Sequence, residues 1–301
     1  MSDTKNQKNS LQIDLHLHST LSDGLNTVAE VIELARQEGM RVIALSDHNL
    51  FAITEKIVIG CGENILEVIP ACEFSTTYYS PLRENVSEEI HVVGLFPYGV
   101  DPASFKELFD GIAQGKLNYI AAIIKKLNEL GIEISMDEVM SVKETDGFIG
   151  RHRIADVLIA KGYGSTYDEI FDSYIGNFSP YYIKATAFIP YAPLDTVVQE
   201  IIRNNGIPIL CHPYGYSFRE PEIELLVKQF AKASKGAGAM EVYYEKYLDD
   251  PHKISFLEEL QKKYSLMASV ASDRHRPDQP FATGGNIEYY KKMLDSLKRR
   301  K

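Results

Sequence analysis

Residues 11–18 alternate without a break: Leu11, Ile13, Leu15 and Leu17 fall on one side, and Gln12, Asp14, His16 and His18 on the other. A period of two predicts a β-strand with one apolar and one polar face, and it sets two imidazoles at i and i+2, where both can reach one point. Thr27 with Glu30 three residues later predicts a capped helix that stops before Gly39. Residues 41–45 form a second apolar strand that delivers Ser46, Asp47 and His48, and residues 66–71 a third that runs into Cys72 and Glu73. A fourth, residues 90–96, is reached through the polar stretch 76–89. If the chain turns back there as a hairpin, His91 comes to lie beside Glu73.

The alternation of helix and strand resumes near Pro193: helix 194–205, strand 207–211, helix 221–235, strand 240–244, helix 251–264, strand 266–272. This predicts an α/β fold with a mostly parallel sheet. Between them, residues 105–130 carry two helical stretches broken near Gly111 and Gly115, and 153–162 and 166–175 carry two more. The expected organisation is a disordered tail (1–10), a β/α body built from 11–100 and 191–290, a small helical insertion (101–190) over the substrate, and a basic, solvated C-terminal tail (291–301).

Composition narrows the classes. With 32 basic against 42 acidic residues the formal charge is −10, which argues against a stable nucleic-acid complex but leaves room for a small phosphorylated substrate. Three cysteines, Cys61, Cys72 and Cys211, lack paired spacing and predict neither a disulfide framework nor a structural zinc cluster; the expected compartment is the cytoplasm. No apolar run reaches the ~18–20 residues of a membrane span. Nothing in the sequence demands an obligate protein partner.

Because β/α folds gather ligands at the C-terminal ends of their strands, the polar residues there carry the chemistry. They are His16, His18, Asp47, His48, Glu73, His212, Asp273 and His275. Imidazole and carboxylate together suit zinc, manganese or iron, and Asp23 in the following Ser22-Asp23-Gly24 loop could bind a further ion. Taken singly, His16 and His18 are equally a polar strand face, Glu73 a salt-bridge partner and His212 a hydrogen-bonded core residue. Cys72 and Cys211 are expected to alternate to the opposite strand face as small core residues.

The strings DLHLHSTLSDG (14–24), ALSDHN (44–49), EFST (73–76), HVVGLF (91–96), CHP (211–213) and SDRH (272–275) resemble the polymerase and histidinol phosphatase (PHP) superfamily. Within it the chain is most similar to stand-alone phosphoesterases acting on nucleoside 3′,5′-bisphosphates. The resemblance implies a distorted seven-stranded β/α barrel with three divalent ions, manganese first and iron or zinc as alternatives. It implies that His16, His18, Glu73 and Asp273 hold one ion, that Glu73 bridges to a second held by His91 and His212, and that Asp23, His48 and His275 hold the third. Asp47 would orient His48 or a bound water.

The implied reaction is hydrolysis of a phosphomonoester by a metal-bridging hydroxide, with Asp23 or His48 protonating the leaving group. Arg151 stands in GRHRIA (150–155), which resembles a family segment GRPHIA; Arg151, Lys184 and Arg274 are the expected substrate contacts. The His152-Arg153 pair where the family has Pro-His, and Phe178 ahead of Lys184, depart from that pattern. A histidinol-phosphate phosphatase and a 5′–3′ exonuclease or other oligonucleotide-degrading phosphoesterase are the alternative readings.

Overall fold

The computed structural model describes residues 12–83, 87–142 and 150–299; the expected tail 1–10 lies outside them. Eight strands are joined in one sheet: β1 Ile13–Leu17, β2 Val42–Leu45, β3 Ile57–Ile59, β4 Leu66–Tyr79, β5 Ser87–Leu95, β6 Ile207–Leu210, β7 Ala239–Tyr244 and β8 Met267–Ala271. The order is β1-β2-β4-β5-β6-β7-β8, with β3 added antiparallel to β4. β1, β2 and β4 run parallel, β5 is antiparallel to both β4 and β6, and β6, β7 and β8 run parallel again. After β8 the chain returns to β1: the Asp273 amide donates to His16 O (3.0 Å) and the His18 amide to Arg274 O (3.1 Å). The result is a nearly closed, distorted barrel of seven strands.

Side-chain parity decides what faces inward. Ile69 and Ala71 on β4, Val93 and Leu95 on β5, Ile207 and Ile209 on β6 and Ala239 on β7 share one apolar cluster that fills the barrel. Phe74, Ile90, Val92, Leu210, Met240 and Val242 point outward onto helices α7 (Leu194–Arg203), α8 (Glu220–Ser234) and α9 (Pro251–Lys263). The amphipathic helix α1 (Val28–Gln37), capped by Thr27 and Glu30 as its sequence predicts, covers Ile43, Leu45 and Val68.

The strict alternation expected of β1 is not kept. Its register with β2 shifts between Asp14 and Leu17, so Ile13 and Leu15 join the barrel interior while Leu17 packs on the α1 side. A bulge re-aims side chains in this way. It lets apolar Leu15 and polar His16 both lie inside the barrel.

The helical region runs α2 Lys106–Phe109, α3 Ile112–Glu129, α4 Met136–Ser141, α5 Arg151–Ala160 and α6 Tyr167–Ile170. The chain breaks at Gly111 (φ 82°), but Gly115 sits inside α3 beside the Ile189 backbone, where a side chain would not fit. These helices have an apolar cluster of their own, from Ile112 through Ile154 and Ile170 to Tyr191.

The C-terminal segment corrects the expected solvated tail. Residues Ile287–Lys298 form helix α10, and Tyr290, Met293 and Leu297 are buried in the barrel cluster with Ile13, Val42 and Ala239, the first residues of β1, β2 and β7. A 3–4 residue spacing of three apolar side chains is a helix stripe. α10 thus closes the barrel end opposite the histidines.

Candidate metal centre and substrate cleft

The strand ends converge on Glu73. Its carboxylate is buried (1% exposed), with Oε2 3.2 Å from His16 Nε2, 3.3 Å from His18 Nε2 and 3.1 Å from His48 Nδ1. On the other side Oε1 lies 2.8 Å from His91 Nδ1 and 3.3 Å from His212 Nε2. The β4–β5 hairpin brings His91 here by pairing it with Ser75, two residues from Glu73. Burial alone would raise the Glu73 carboxyl, but His48, His91 and His16 hold it well below the ordinary carboxylate range.

Two flanking groups complete the centre. Asp273 Oδ1 lies 3.2 Å from His18 Nε2 and 3.5 Å from His16 Nε2. Asp23 stands 3.3 Å from His275 Nε2 and 3.5 Å from both His18 Nδ1 and His48 Nε2. Among the described residues five groups of donor atoms lie within 4.8 Å of one another: His16, His18, Glu73 and Asp273; His48, Glu73 and His91; His18, Asp23, His48 and His275; Glu73, Cys211 and His212; and His16, Cys211 and Glu241. All nine residues singled out in the sequence as ligands therefore meet in one place.

These side chains fit divalent cations. Glu73 Oε2 and Asp23 Oδ1 are buried, make no aligned hydrogen bond and face only imidazole nitrogens at 3.1–3.5 Å, and a buried carboxylate is costly unless a positive charge meets it. An imidazole-carboxylate donor set of this kind suits zinc, manganese or iron.

Neighbouring residues hold the donors in place. Asp47 does not point at His48: it accepts from the Ser19 amide (2.8 Å), Ser19 Oγ (2.8 Å) and Ser22 Oγ (2.5 Å), and so pins the loop that carries Asp23. Asp14 accepts from the Ser272 and Ala282 amides at 3.1 and 2.9 Å and ties β1 to the segment after β8; burial raises its carboxyl to about 6 against those bonds. The His275 ring contacts Asp273 O at 2.8 Å through Nδ1, which leaves Nε2 facing Asp23. Cys72 packs outward as expected, but Cys211 does not. It belongs to the barrel interior beside His16, continuing the parity of Ile207 and Ile209, and the left-handed backbone of His212 (φ 27°) brings the His212 ring inward as well.

Above the centre is a cleft of about 210 Å³ lined by Asp23, His48 and His91 from the barrel and by Lys116, Arg151 and His152 from the helical region. The Arg151 guanidinium donates to Ile175 O (2.9 Å) and Asn177 Oδ1 (2.8 Å) and lies over the rings of Phe171 and Tyr182. Lys116 was not singled out by the sequence, where it is one of many helical lysines; burial lowers its ammonium to about 8, opposed by Asp23 and Glu89. His152, despite its shifted place in the GRHRIA string, reaches the cleft, and burial lowers its imidazole to about 4.

Two expected substrate contacts are not among the residues that line the cleft. Lys184 pairs at 2.6 Å with Glu88, which does line it. Arg274 is 3% exposed, donates to Gln279 O, Asn26 Oδ1 and Pro277 O, and stacks on Phe281. It braces the loop after β8 rather than facing the cleft, because its backbone pairs with His18 and turns its side chain away.

Residues 14–95 match the PHP domain family. Over 284 residues the chain is 29% identical to the 5′-3′ exoribonuclease of Haemophilus influenzae, covering 94% of this chain and 96% of that protein. It is 27% identical to the 3′,5′-nucleoside bisphosphate phosphatase of Chromobacterium violaceum, covering 92% and 91%. Among solved structures, an amidohydrolase from Chromobacterium violaceum with bound sulfate and no metal superposes with TM-score 0.73 at 24% identity, covering 94% and 96%. A metal-dependent phosphoesterase from Bifidobacterium adolescentis superposes at 0.70 with 21% identity, covering 94% and 96%, which extends the fold match to both barrel and helical region. No helix among the described residues is long and apolar enough to cross a membrane.

Proposed function

We propose that this PHP-domain protein is a metal-dependent phosphoesterase that removes a phosphate from a small phosphomonoester, the 3′-phosphate of a nucleoside 3′,5′-bisphosphate being the favoured substrate. The observation that carries the reading is the meeting of nine imidazole and carboxylate donors on the floor of a cleft whose opposite wall presents Lys116 and Arg151. His16, His18, Glu73 and Asp273 would hold one ion, Glu73 with His91 and His212 a second, and Asp23, His48 and His275 a third. Divalent ions in such a site supply Lewis acidity toward phosphoryl oxygens and a nucleophile from water near neutral pH.

The remaining work belongs to the chain. Arg151 has one nitrogen bonded to Ile175 and Asn177, which fixes the fork so that its other edge can receive a second, non-reacting phosphate. Lys116 adds a point charge on the same wall. Asp23 and His48 stand between the donor floor and the open cleft, where either can pass a proton to the departing oxygen. Residues 101–190 act as the cap that confines the substrate, and a volume of about 210 Å³ suits one nucleotide better than a strand.

One observation favours an exonuclease instead, the likeness over 94% of this chain to a protein named 5′-3′ exoribonuclease. Adenosine 3′,5′-bisphosphate and a 5′-phosphorylated RNA hexamer, each given to manganese-loaded protein, separate the two. Phosphate release from the first with an intact hexamer supports the phosphatase reading, and mononucleotide release from the hexamer in preference to phosphate from the first overturns it.

A further inference from the structure

One buried carboxylate at the centre belongs to none of the nine donors. Glu241 lies in the middle of β7, whose sequence Ala-Met-Glu-Val-Tyr-Tyr sends Met240 and Val242 outward and Ala239 and Glu241 into the barrel. It is 1% exposed, and a carboxyl group buried in such a place is costly unless its oxygens find partners. Both do. Oε1 is 2.7 Å from His16 Nδ1, and Oε2 accepts from the His212 backbone amide at 2.7 Å.

Each contact has a consequence for a different donor. The His16 ring has two nitrogens, and only Nε2 faces the shared centre, 3.1 Å from His18 Nε2 and 3.2 Å from Glu73 Oε2. A carboxylate on Nδ1 keeps the proton there and leaves the Nε2 lone pair pointing at the cation position. The second contact holds His212 in its left-handed conformation (φ 27°, ψ 66°), one that non-glycine residues adopt at a cost and only when their surroundings impose it. Without that turn the parity of β6 would send the His212 ring outward, since Cys211 already faces in.

We infer that Glu241 is a positioning residue that sets the protonated nitrogen of His16 and the backbone turn of His212 at once, coupling a donor of the first ion set to a donor of the second. This rests on the metal-dependent reading above and adds a residue to it. A barrel seam that merely needed filling would be served by an apolar side chain like those at Ala239 or Ile209. The carboxylate is used because one acceptor group must meet two donors on separate elements.

The test uses ¹⁵N-histidine-labelled full-length protein and the variants Glu241→Gln and Glu241→Asp. Gln has the same shape but one acceptor oxygen, so it can serve only one of the two donors; Asp is too short to span both. Wild-type protein should show a downfield, exchange-protected Nδ1–H signal from His16, with or without zinc. In Glu241→Gln that signal shifts or is lost, and zinc affinity by calorimetry falls by roughly 10–100-fold, the usual cost of removing a partner behind a metal-ligating imidazole. A His16 Nδ1–H signal identical in wild type and variant, or a wild-type His16 protonated on Nε2 alone, overturns the inference; the second of these needs no variant to fold. A wild-type chain that binds no divalent ion yet shows the Glu241-dependent signal would sink the metal reading and still support the assignment of Glu241.

Discussion

The Glu73 carboxylate touches His91 Nδ1 at 2.8 Å although the two residues belong to different strands, and the antiparallel pairing of β4 with β5 creates that contact. Glu73 is also the one side chain shared by the first two ion sets. Glu73→Gln keeps the shape and removes the charge. It should reduce divalent-ion affinity by more than the roughly 10–100-fold typical of outer partners, with the far-UV circular dichroism unchanged. Metal analysis after dialysis reads this directly, and full retention of bound ions in a folded Glu73→Gln protein would be incompatible with a bridging role.

The Asp23 loop is tightly fitted. A side-chain carbon at Gly24 would lie 2.6 Å from His18 O and 2.8 Å from the Ser19 amide nitrogen, backbone atoms that cannot yield. Gly24→Ala should push the loop off β1 and separate Asp23 from His48 and His275, so the protein loses about one ion per chain. Equal metal content in wild type and Gly24→Ala would show that this loop does not contribute a site.

Arg151 and Lys116 are expected to act on substrate rather than on the ions. Arg151→Ala and Lys116→Met should each raise KM for adenosine 3′,5′-bisphosphate by roughly 10–100-fold, corresponding to the ~1.5–3 kcal/mol of a charge-assisted hydrogen bond. KM for a simple aryl phosphate, which has no second phosphate, should move far less. Equal losses on both substrates would place these residues outside second-phosphate recognition.

Away from the cleft, the buried Glu222 carboxylate is bound by Arg83 at 2.5 Å, joining the β4–β5 connection to α8. Burial would raise the Glu222 carboxyl, but Arg83 and the Arg219 backbone hold it below its ordinary value of 4.5. A carboxyl depressed on folding stabilises the protein above its unfolded value and loses that contribution as pH falls through the folded one. Arg83→Ala should therefore cost about 1–2 kcal/mol at pH 7, and the gap from wild type should close below pH 4.5. Denaturant melts at several pH values measure it; a gap that widens on acidification would contradict the pairing.

His16, His18, His48, Glu73, His212, Asp273 and His275 could be read in the sequence because each lies in or just after a strand signal, where a β/α barrel collects its chemistry; Asp23 stands in the loop after the first strand, and the full set of nine came from the resemblance to the PHP superfamily. The His91–Glu73 contact was equally readable, since a hairpin fixes register. What escaped was anything set by a departure from strict parity. The bulge in β1 puts Leu15 and His16 on the same side, and the left-handed turn at His212 brings its ring inward beside Cys211, which faces in with Ile207 and Ile209. Arg274 sits between two donors in sequence but is turned away by its backbone pairing with His18. Glu241 gave a signal, an acidic residue inside an apolar strand, of the same kind as Glu73; it was missed because it ends no strand. The stripe Tyr290, Met293 and Leu297 was hidden by the lysines and arginines around it.

Metal-dependent release of phosphate is tested most directly by measuring inorganic phosphate produced from adenosine 3′,5′-bisphosphate by protein stripped with chelator and then reloaded with manganese. The stripped protein should show no turnover, turnover should rise with added manganese, and His16→Ala should lose it. Turnover that survives chelation, or an equally active His16→Ala protein, would contradict the metal-dependent reading.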